Sequence, residues 1–437
     1  MPALSITDAI ALVVGIVVGA GIFRSPSAVA GSVSSGTEMI LAWIVGGVVS
    51  LAGAMCYAEL ATMFPTPGGD YHYIGRALGR APAFLFGWAR LTVIPTGSLA
   101  LLGFTFGDYA ASALGLPAPA SAWFAAAMIV ALTALNVSGL NPARGTQNLL
   151  TAIEVAAILG IVACGFLVDP APAAAPAAPA GGGGGLALAL VFVLLMYGGW
   201  NDGAYVSAEV RGGRRAIATV LLGSIAIVTA LYVLANLAYL RGLGPAGMAA
   251  STAVAADLLS RAIGPAGPPL IAAVVAVSAI TSANATLLMG SRMAFALGRD
   301  TPIFSPLGRW SGRGAPVNAL VAQGAIALLL VAFGATSRSG FEAMVAYTAP
   351  VFWLFFLLAG ASLLVLRRRE PNAIRPFRVP LYPLTPLVFC AACLYLLWSS
   401  VRYAGPGAIA GLLVLATGVV PLWLSTRRAA QRRPAVA

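Results

Sequence analysis

Twelve long apolar runs set the pattern of the chain, at about 6–33, 38–63, 82–110, 121–140, 145–168, 186–208, 216–240, 265–298, 317–336, 341–366, 383–402 and 405–425. Each is close to, or longer than, the roughly 20 residues a helix needs to cross a bilayer. In lipid such a run must be helical, because every backbone N–H and C=O needs a partner within its own segment. The pattern predicts an all-α integral membrane protein with 12 transmembrane helices. Between the fifth and sixth runs lies DPAPAAAPAAPAGGGGG, 169–185. Pro and Gly at that density form no packed core. This outer linker divides five crossings from seven.

Two runs contain weak points in matching places. The first reads Val17-Val18-Gly19-Ala20-Gly21-Ile22-Phe23 and then Arg24-Ser25-Pro26; the sixth reads Tyr197-Gly198-Gly199-Trp200-Asn201-Asp202-Gly203. In a helix interior Gly costs about 1 kcal/mol and Pro about 3 kcal/mol relative to Ala. Polar Asn and Asp deep in an apolar helix are costly unless they line a cavity. Interrupted helices at corresponding positions of two halves point to a transporter site at the bilayer midplane. Freed N–H groups at the start of a half-helix attract a carboxylate. Freed carbonyls at the end of the other attract an ammonium. An amino acid carries both groups a few ångströms apart. The alternative is that the small residues only allow close helix packing.

Composition narrows the choice. Of 437 residues, 60% are apolar and 9% charged, against roughly 25% charged in soluble domains. The formal charge of +12 is not spread over a soluble surface, so no nucleic-acid partner is expected. All 25 basic residues are arginine, and their placement sets the orientation. With the N-terminus inside, Arg241, Arg261, Arg338 and Arg402 fall outside, and Arg24 and Arg90 fall within crossings. The rest lie on the inner side, including those of the basic tail 426–437. Both termini are therefore expected in the cytoplasm, across the inner (plasma) membrane. The first run has neither the basic flank nor the cleavage site of a removable signal.

Other classes fall away. Without lysine, a GxxxxGK[ST] phosphate loop cannot occur, so ATP-driven transport by this chain is not expected. Cys56, Cys164, Cys390 and Cys393 all lie in apolar runs, and the Cys390/Cys393 pair has no further ligand nearby. No metal or cofactor is expected. One histidine and scattered acids do not make a catalytic cluster, so no enzyme is expected, and nothing repeats as a channel filter.

At six places the chain resembles the amino acid–polyamine–organocation superfamily, and within it the L-type amino acid transporter branch. The matching segments are VGAGIF (18–23), CYAELATMFPTPGGDYHYIGRALG (56–79) and GTQNLLTAIEVAAILG (145–160). MYGGWND (196–202) with EVRGGRR (209–215), LYVLANLAYL (231–240) and SANATLLMGSR (282–292) complete them. The resemblance covers nearly the whole chain. It implies one polytopic transporter domain of LeuT-like fold with a 5+5 inverted repeat. Repeat 1 would span about 6–168 and repeat 2 about 186–366, with two peripheral helices at about 383–425.

The resemblance also implies site residues. The backbone around Gly19, Ala20 and Gly21 would hold the substrate carboxylate. Carbonyls near Ile16 and Val17, and near Leu195 and Gly198, would hold the ammonium. Tyr232 matches a tyrosine that steadies the first break, and Asn201 an asparagine beside the substrate. Ser282 and Asn284 match partners of a region that a sodium ion or a lysine fills in relatives. There are departures. Ala20 stands where the family often has Ser, and Leu195 where it often has a gating Phe. Glu154 aligns with a fifth-helix lysine.

The buried charges carry the remaining chemistry. A mid-bilayer carboxylate at Glu154 costs several kcal/mol if ionised and unpaired, so a protonated form is expected there. Glu154 is read either as a proton-responsive switch or as a carboxyl hydrogen-bonded to a neighbouring helix. Asp202 could contact substrate, accept a proton or cap a half-helix. Arg90 is expected in an ion pair on the inner side with Glu59 or Glu209. His72 reads as a loop side chain after Pro65, and Asp8 with Ser5 as capping chemistry. The expected function is alternating-access transport of amino acids, neutral ones first, with coupling to protons through Glu154. Exchange, or transport of basic amino acids or polyamines, is the alternative. The expected partners are the amino acid, protons and the lipid bilayer, with no obligatory protein partner.

Overall fold

The computed structural model describes residues 4–23, 25–66, 68–117, 119–171, 185–251, 253–312, 314–336, 340–403 and 405–431. Arg24, Arg338, most of the 169–185 linker and the end of the basic tail lie outside the described residues.

Helix α1 (Ile6–Val17) begins at a reciprocal cap. The Asp8 N–H donates to Ser5 Oγ at 3.1 Å, and the Ser5 N–H to Asp8 Oδ2 at 3.0 Å. The box satisfies two donors that a helix start leaves free. A 3-10 turn over Ala20–Phe23 leads into α2 (Ser25–Ser32). Ser35 caps α3 (Gly36–Met63), accepting from the Glu38 N–H at 3.1 Å. Then come α4 (Asp70–Leu78), α5 (Arg80–Thr92), α6 (Ile94–Ala113), α7 (Ala120–Ser138) and α8 (Leu140–Leu167). After the linker, α9 (Gly185–Met196) gives way to a 3-10 helix over Trp200–Val206. The chain continues with α10 (Gly213–Ala250), α11 (Val254–Ile263), α12 (Gly267–Asp300), α13 (Val317–Gly334) and α14 (Gly340–Arg369). It ends with α15 (Leu384–Tyr403), α16 (Gly405–Thr417) and α17 (Val419–Gln431).

Among the described residues, ten helical stretches are long and apolar enough to cross a membrane. The chain is a multi-pass membrane protein. The 6–33 and 186–208 runs stand apart from those ten, because each is interrupted after a 12-residue helix. Elsewhere the boundaries move for physical reasons. α10 outruns its expected end at 240, its backbone leaving helical angles at Gly244 before Pro245, which has no N–H to donate. α4 and α11 are amphipathic pieces of 9 and 10 residues, too short to register as crossings. His72 therefore sits in α4 and not in a loop.

α10 packs along α3, α8 and α1, while α12 lies against α6, α8 and α1. The interrupted segments are enclosed by these long helices. Leu4 stitches them together. Its N–H donates to the Glu209 carbonyl at 3.0 Å, and its carbonyl accepts from the Arg211 N–H at 2.8 Å. Buried charge is paired across elements. Glu209 pairs with Arg292 at 2.5 Å, and the fully buried Glu59 pairs with Arg367 at 2.6 Å and Arg375 at 3.1 Å. Both expected partners of Arg90 are thus taken by other arginines.

Candidate functional site

The last carbonyls of α1 have no onward helix to accept from. Hydroxyls from α10 and α12 meet them. Ser282 Oγ donates to the Gly15 carbonyl at 2.9 Å, and Tyr232 OH to the Val17 carbonyl at 2.7 Å. Ser278 Oγ lies 3.2 Å from the Val18 carbonyl. The same Ser278 hydroxyl is hydrogen-bonded to Glu154 Oε1, and Glu154 Oε2 is buried without a protein partner. Glu154 thus reaches the first break through one serine.

The second break is built from backbone. α9 ends at Met196, Gly198 donates back to the Leu195 carbonyl at 3.2 Å, and Gly199 takes φ +107°. A Cβ on Gly199 would stand 2.3 Å from Ile16 Cγ2, and one on Gly21 would stand 2.1 Å from Met196 Sδ. The two breaks are therefore in contact. Tyr232 OH joins them, since it also lies 3.2 Å from the Met196 carbonyl. One hydroxyl proton serves the two carbonyls in turn.

Between the breaks lies a cavity of about 240 Å³. Ile16, Val17, Gly19, Ala20 and Gly21 line one side; Leu195, Met196, Gly198 and Gly199 line another; Tyr232 and Ser282 complete the contact between them. Of the remaining expected residues, Asp202 also lines the cavity, whereas Asn201, Glu154 and Asn284 do not. Asn201 is buried beside it. Asn284 belongs to a polar ladder. It accepts from Asn136 Nδ2 at 2.8 Å and donates to Gln147 Oε1 at 2.9 Å, and Gln147 Nε2 lies 3.2 Å from Thr151 Oγ1.

Arg90 and Asp202 are a correction. Arg90 Nη1 donates to Asp202 Oδ1 at 3.0 Å, and both residues line the cavity while almost fully buried. The guanidinium lies 4.5 Å over the Tyr205 ring. No capping hydrogen bond from Asp202 is found at the 3-10 helix, whose N-cap is Gly199. The ion pair thus replaces the capping role. Behind it, Tyr205 OH donates to Asp70 Oδ2 at 2.9 Å. Burial pushes the Asp70 carboxyl up to about 7; Tyr205 and Arg90 pull it down, and Asp202 adds to the rise. Burial and the neighbouring Arg76 lower His72.

Sequence reasoning named none of the residues of the far wall: Ser98 and Thr105 of α6, Thr286 of α12, and Thr348 and Phe352 of α14. Their spacing is legible afterwards. Ser98 and Thr105 are two turns apart, Ser282 and Thr286 four residues, Thr348 and Phe352 four, so each pair shares a helix face. Thr105 and Thr348 donate to carbonyls of their own helices at 3.0 Å and 2.9 Å. Each hydroxyl oxygen keeps acceptor capacity.

The profile of the family described as amino acid permease matches residues 4–420. The chain is 30% identical over 401 residues to the b(0,+)-type amino acid transporter 1 of Mus musculus, covering 89% of this chain and 80% of that protein. It is 28% identical over 387 residues to the Homo sapiens protein of the same name, covering 86% and 78%. Over 432 residues it is 30% identical to the large neutral amino acids transporter small subunit 2 of Mus musculus, covering 95% and 79%.

Proposed function

We propose a mechanism on a plain premise: the chain belongs to the amino acid permease family and transports amino acids. In this reading the two interrupted runs join the ten long stretches to make 12 crossings. Crossings 1–5 and 6–10 form an inverted repeat, which would put a substrate site where the breaks meet. The termini lie in the cytoplasm and the bilayer is the plasma membrane.

One observation carries the site. Tyr232 OH reaches the Val17 and Met196 carbonyls, so both helix ends face one cavity. The amino acid carboxylate sits against the backbone at Gly19–Gly21, and the ammonium against the carbonyls of Val17 and Met196. Each carbonyl has a second lone pair to offer. The side chain extends toward Thr105, Thr286, Thr348 and Phe352. A cavity of about 240 Å³ is smaller than the roughly 300–1,000 Å³ of drug-sized ligand sites, which supports a small or medium substrate. Asp202 is already paired with Arg90, so this end of the cavity offers no free carboxylate to a cationic side chain. Neutral amino acids are therefore favoured over basic ones and polyamines.

Proton accounting at Ser278 supports coupling through Glu154. A neutral Glu154 donates to Ser278 Oγ, which leaves the serine proton for the Val18 carbonyl. An ionised Glu154 takes that proton, and the Val18 carbonyl loses its partner. The charge state of Glu154 thus sets the polarity of the first break. One relative is named a small subunit, which supports adding a companion protein to this reading.

The test is a thermal-shift screen of the common amino acids on the purified protein. A ligand that binds the native state raises stability by about 2.7 kcal/mol at a hundredfold excess over Kd. The expected result is stabilisation by one or more neutral amino acids and none in a Gly21→Leu variant. Equal stabilisation of Gly21→Leu removes the site assignment.

A further inference from the structure

A second cavity, of about 660 Å³, opens where α14 ends and α15 begins. Arg367, Arg368, Arg375 and Arg378 line it together with Leu364 and Leu387. Among the described residues, no carboxylate lines it. Behind the wall, Glu59 takes Arg367 and Arg375 and also accepts from the Val379 N–H at 2.7 Å. Glu370 at the same end pairs with Arg76 at 2.6 Å. Two of the four guanidinium groups thus have a buried carboxylate partner. Arg368 and Arg378 are exposed.

Two of these arginines are fixed in place. Arg367 is clamped by two 2.6 Å hydrogen bonds to Glu59, and its guanidinium lies 4.4 Å over the Tyr382 ring. Arg375 donates to the Glu370 carbonyl at 2.8 Å and the Ala373 carbonyl at 3.0 Å. The C-terminal end of α14 carries a negative partial charge, which suits cations. The surplus positive charge therefore resides in side chains. The apolar side continues outward along α15, where Leu384, Leu387, Val388 and Leu394 are all exposed. A cationic pocket opening onto an apolar, lipid-facing flank fits an anion that carries hydrocarbon with it.

We propose that this pocket binds the headgroup of an anionic phospholipid, with the phosphodiester on Arg368 and Arg378 and the acyl chains along α15. A basic pocket between crossings at the membrane edge is a recognised lipid-binding arrangement. Pairing of Glu59 with Arg367 and Arg375 holds the wall, while Arg368 and Arg378 supply the unspent charge. The soluble-phosphate alternative lacks a use for the apolar flank.

Native mass spectrometry of the full purified chain tests this with three probes: phosphatidylglycerol, phosphatidylcholine and inorganic phosphate. Phosphatidylglycerol should be retained over phosphatidylcholine, and inorganic phosphate should not displace it. In R368Q/R378Q, retention should weaken by about fivefold per arginine, roughly thirtyfold in all. R299Q/R309Q removes two exposed inner arginines elsewhere and should retain the lipid. Equal retention of the two lipids, undiminished binding in R368Q/R378Q, equal loss in R299Q/R309Q, or displacement by phosphate each overturns the proposal. A readout on the unaltered chain covers the case of a variant that does not fold. Phosphatidylglycerol vesicles, and not phosphatidylcholine vesicles, should protect Arg368 and Arg378 from phenylglyoxal. Equal labelling overturns the assignment.

Discussion

At the first break, the carbonyls of Gly15, Val17 and Val18 meet hydroxyls of Ser282, Tyr232 and Ser278. At the second, a glycine at φ +107° turns the chain and the 3-10 helix begins at once, with Tyr232 as the shared polar contact. The first interruption is held by borrowed side chains, the second by backbone angles that only glycine adopts easily. Lipid gives neither any help, since it supplies no hydrogen bonds. The two should therefore differ in what they depend on: the second on a glycine at positive φ, the first on the hydroxyls of Ser282 and Ser278.

The sharpest test of this contrast is Gly199→Val. A side chain at positive φ costs about 1–2 kcal/mol. The collision with Ile16 Cγ2, at 2.3 Å for the Cβ alone, adds overpacking of about 1–3 kcal/mol. The expected outcome is a melting temperature several degrees lower and loss of substrate-induced stabilisation, read by the same thermal-shift measurement. A variant with unchanged melting and binding would show that the second break does not depend on its glycine.

Tyr232→Phe comes next, because it removes a hydroxyl that both breaks use. Leaving buried carbonyls without a partner costs about 1–3 kcal/mol. Ser282→Ala touches the first break alone, where its hydroxyl lies 2.9 Å from the Gly15 carbonyl and 3.4 Å from that of Ile16, and should cost about 1 kcal/mol. Substrate affinity should fall more in Tyr232→Phe than in Ser282→Ala, by about tenfold for each 1.4 kcal/mol of difference. The reverse order would mean that the tyrosine does not tie the breaks together.

The same contrast explains what the sequence made legible. Long apolar runs reveal crossings because lipid forces helix on them, and Gly19-Ala20-Gly21 and Gly198-Gly199 reveal breaks because glycine is costly in a helix. Ser5 and Asp8 carry a local cap, so four residues of sequence suffice to read it. Partners across the fold were not legible in this way. Arg90 finds Asp202, 112 positions away, while Glu59 and Glu209 find Arg367 and Arg292. Charge alone does not say which arginine reaches which acid; that depends on how α5, α12 and α14 pack. The threonines of the far wall were hidden for another reason. A single Thr in an apolar run also reads as a hydroxyl bonded to its own helix, which Thr105 and Thr348 in fact are. Only their shared face distinguishes a lining from a scatter.

The smallest expected effects concern protons, and they separate the acid of each break. Behind the second, Asp70 is raised by burial from 3.8 to about 7. Between about pH 4 and 7 the folded chain then holds a proton that the unfolded chain has released. Stability falls as pH rises through that window and levels off above it. Tyr57 of α3, Tyr73 of α4, Arg90 of α5, and Asp202 and Tyr205 of the 3-10 helix are the charged or titratable groups around it. In Asp70→Asn the difference in melting temperature between pH 5 and pH 8 should shrink while uptake keeps its pH profile. In Glu154→Gln the uptake profile should flatten, because a carboxamide can donate to Ser278 at every pH and never claims the serine proton by ionising. If Asp70→Asn flattens uptake and Glu154→Gln leaves it unchanged, the coupling acid lies behind the glycine-built break. The serine between Glu154 and Val18 then serves only to satisfy the end of α1.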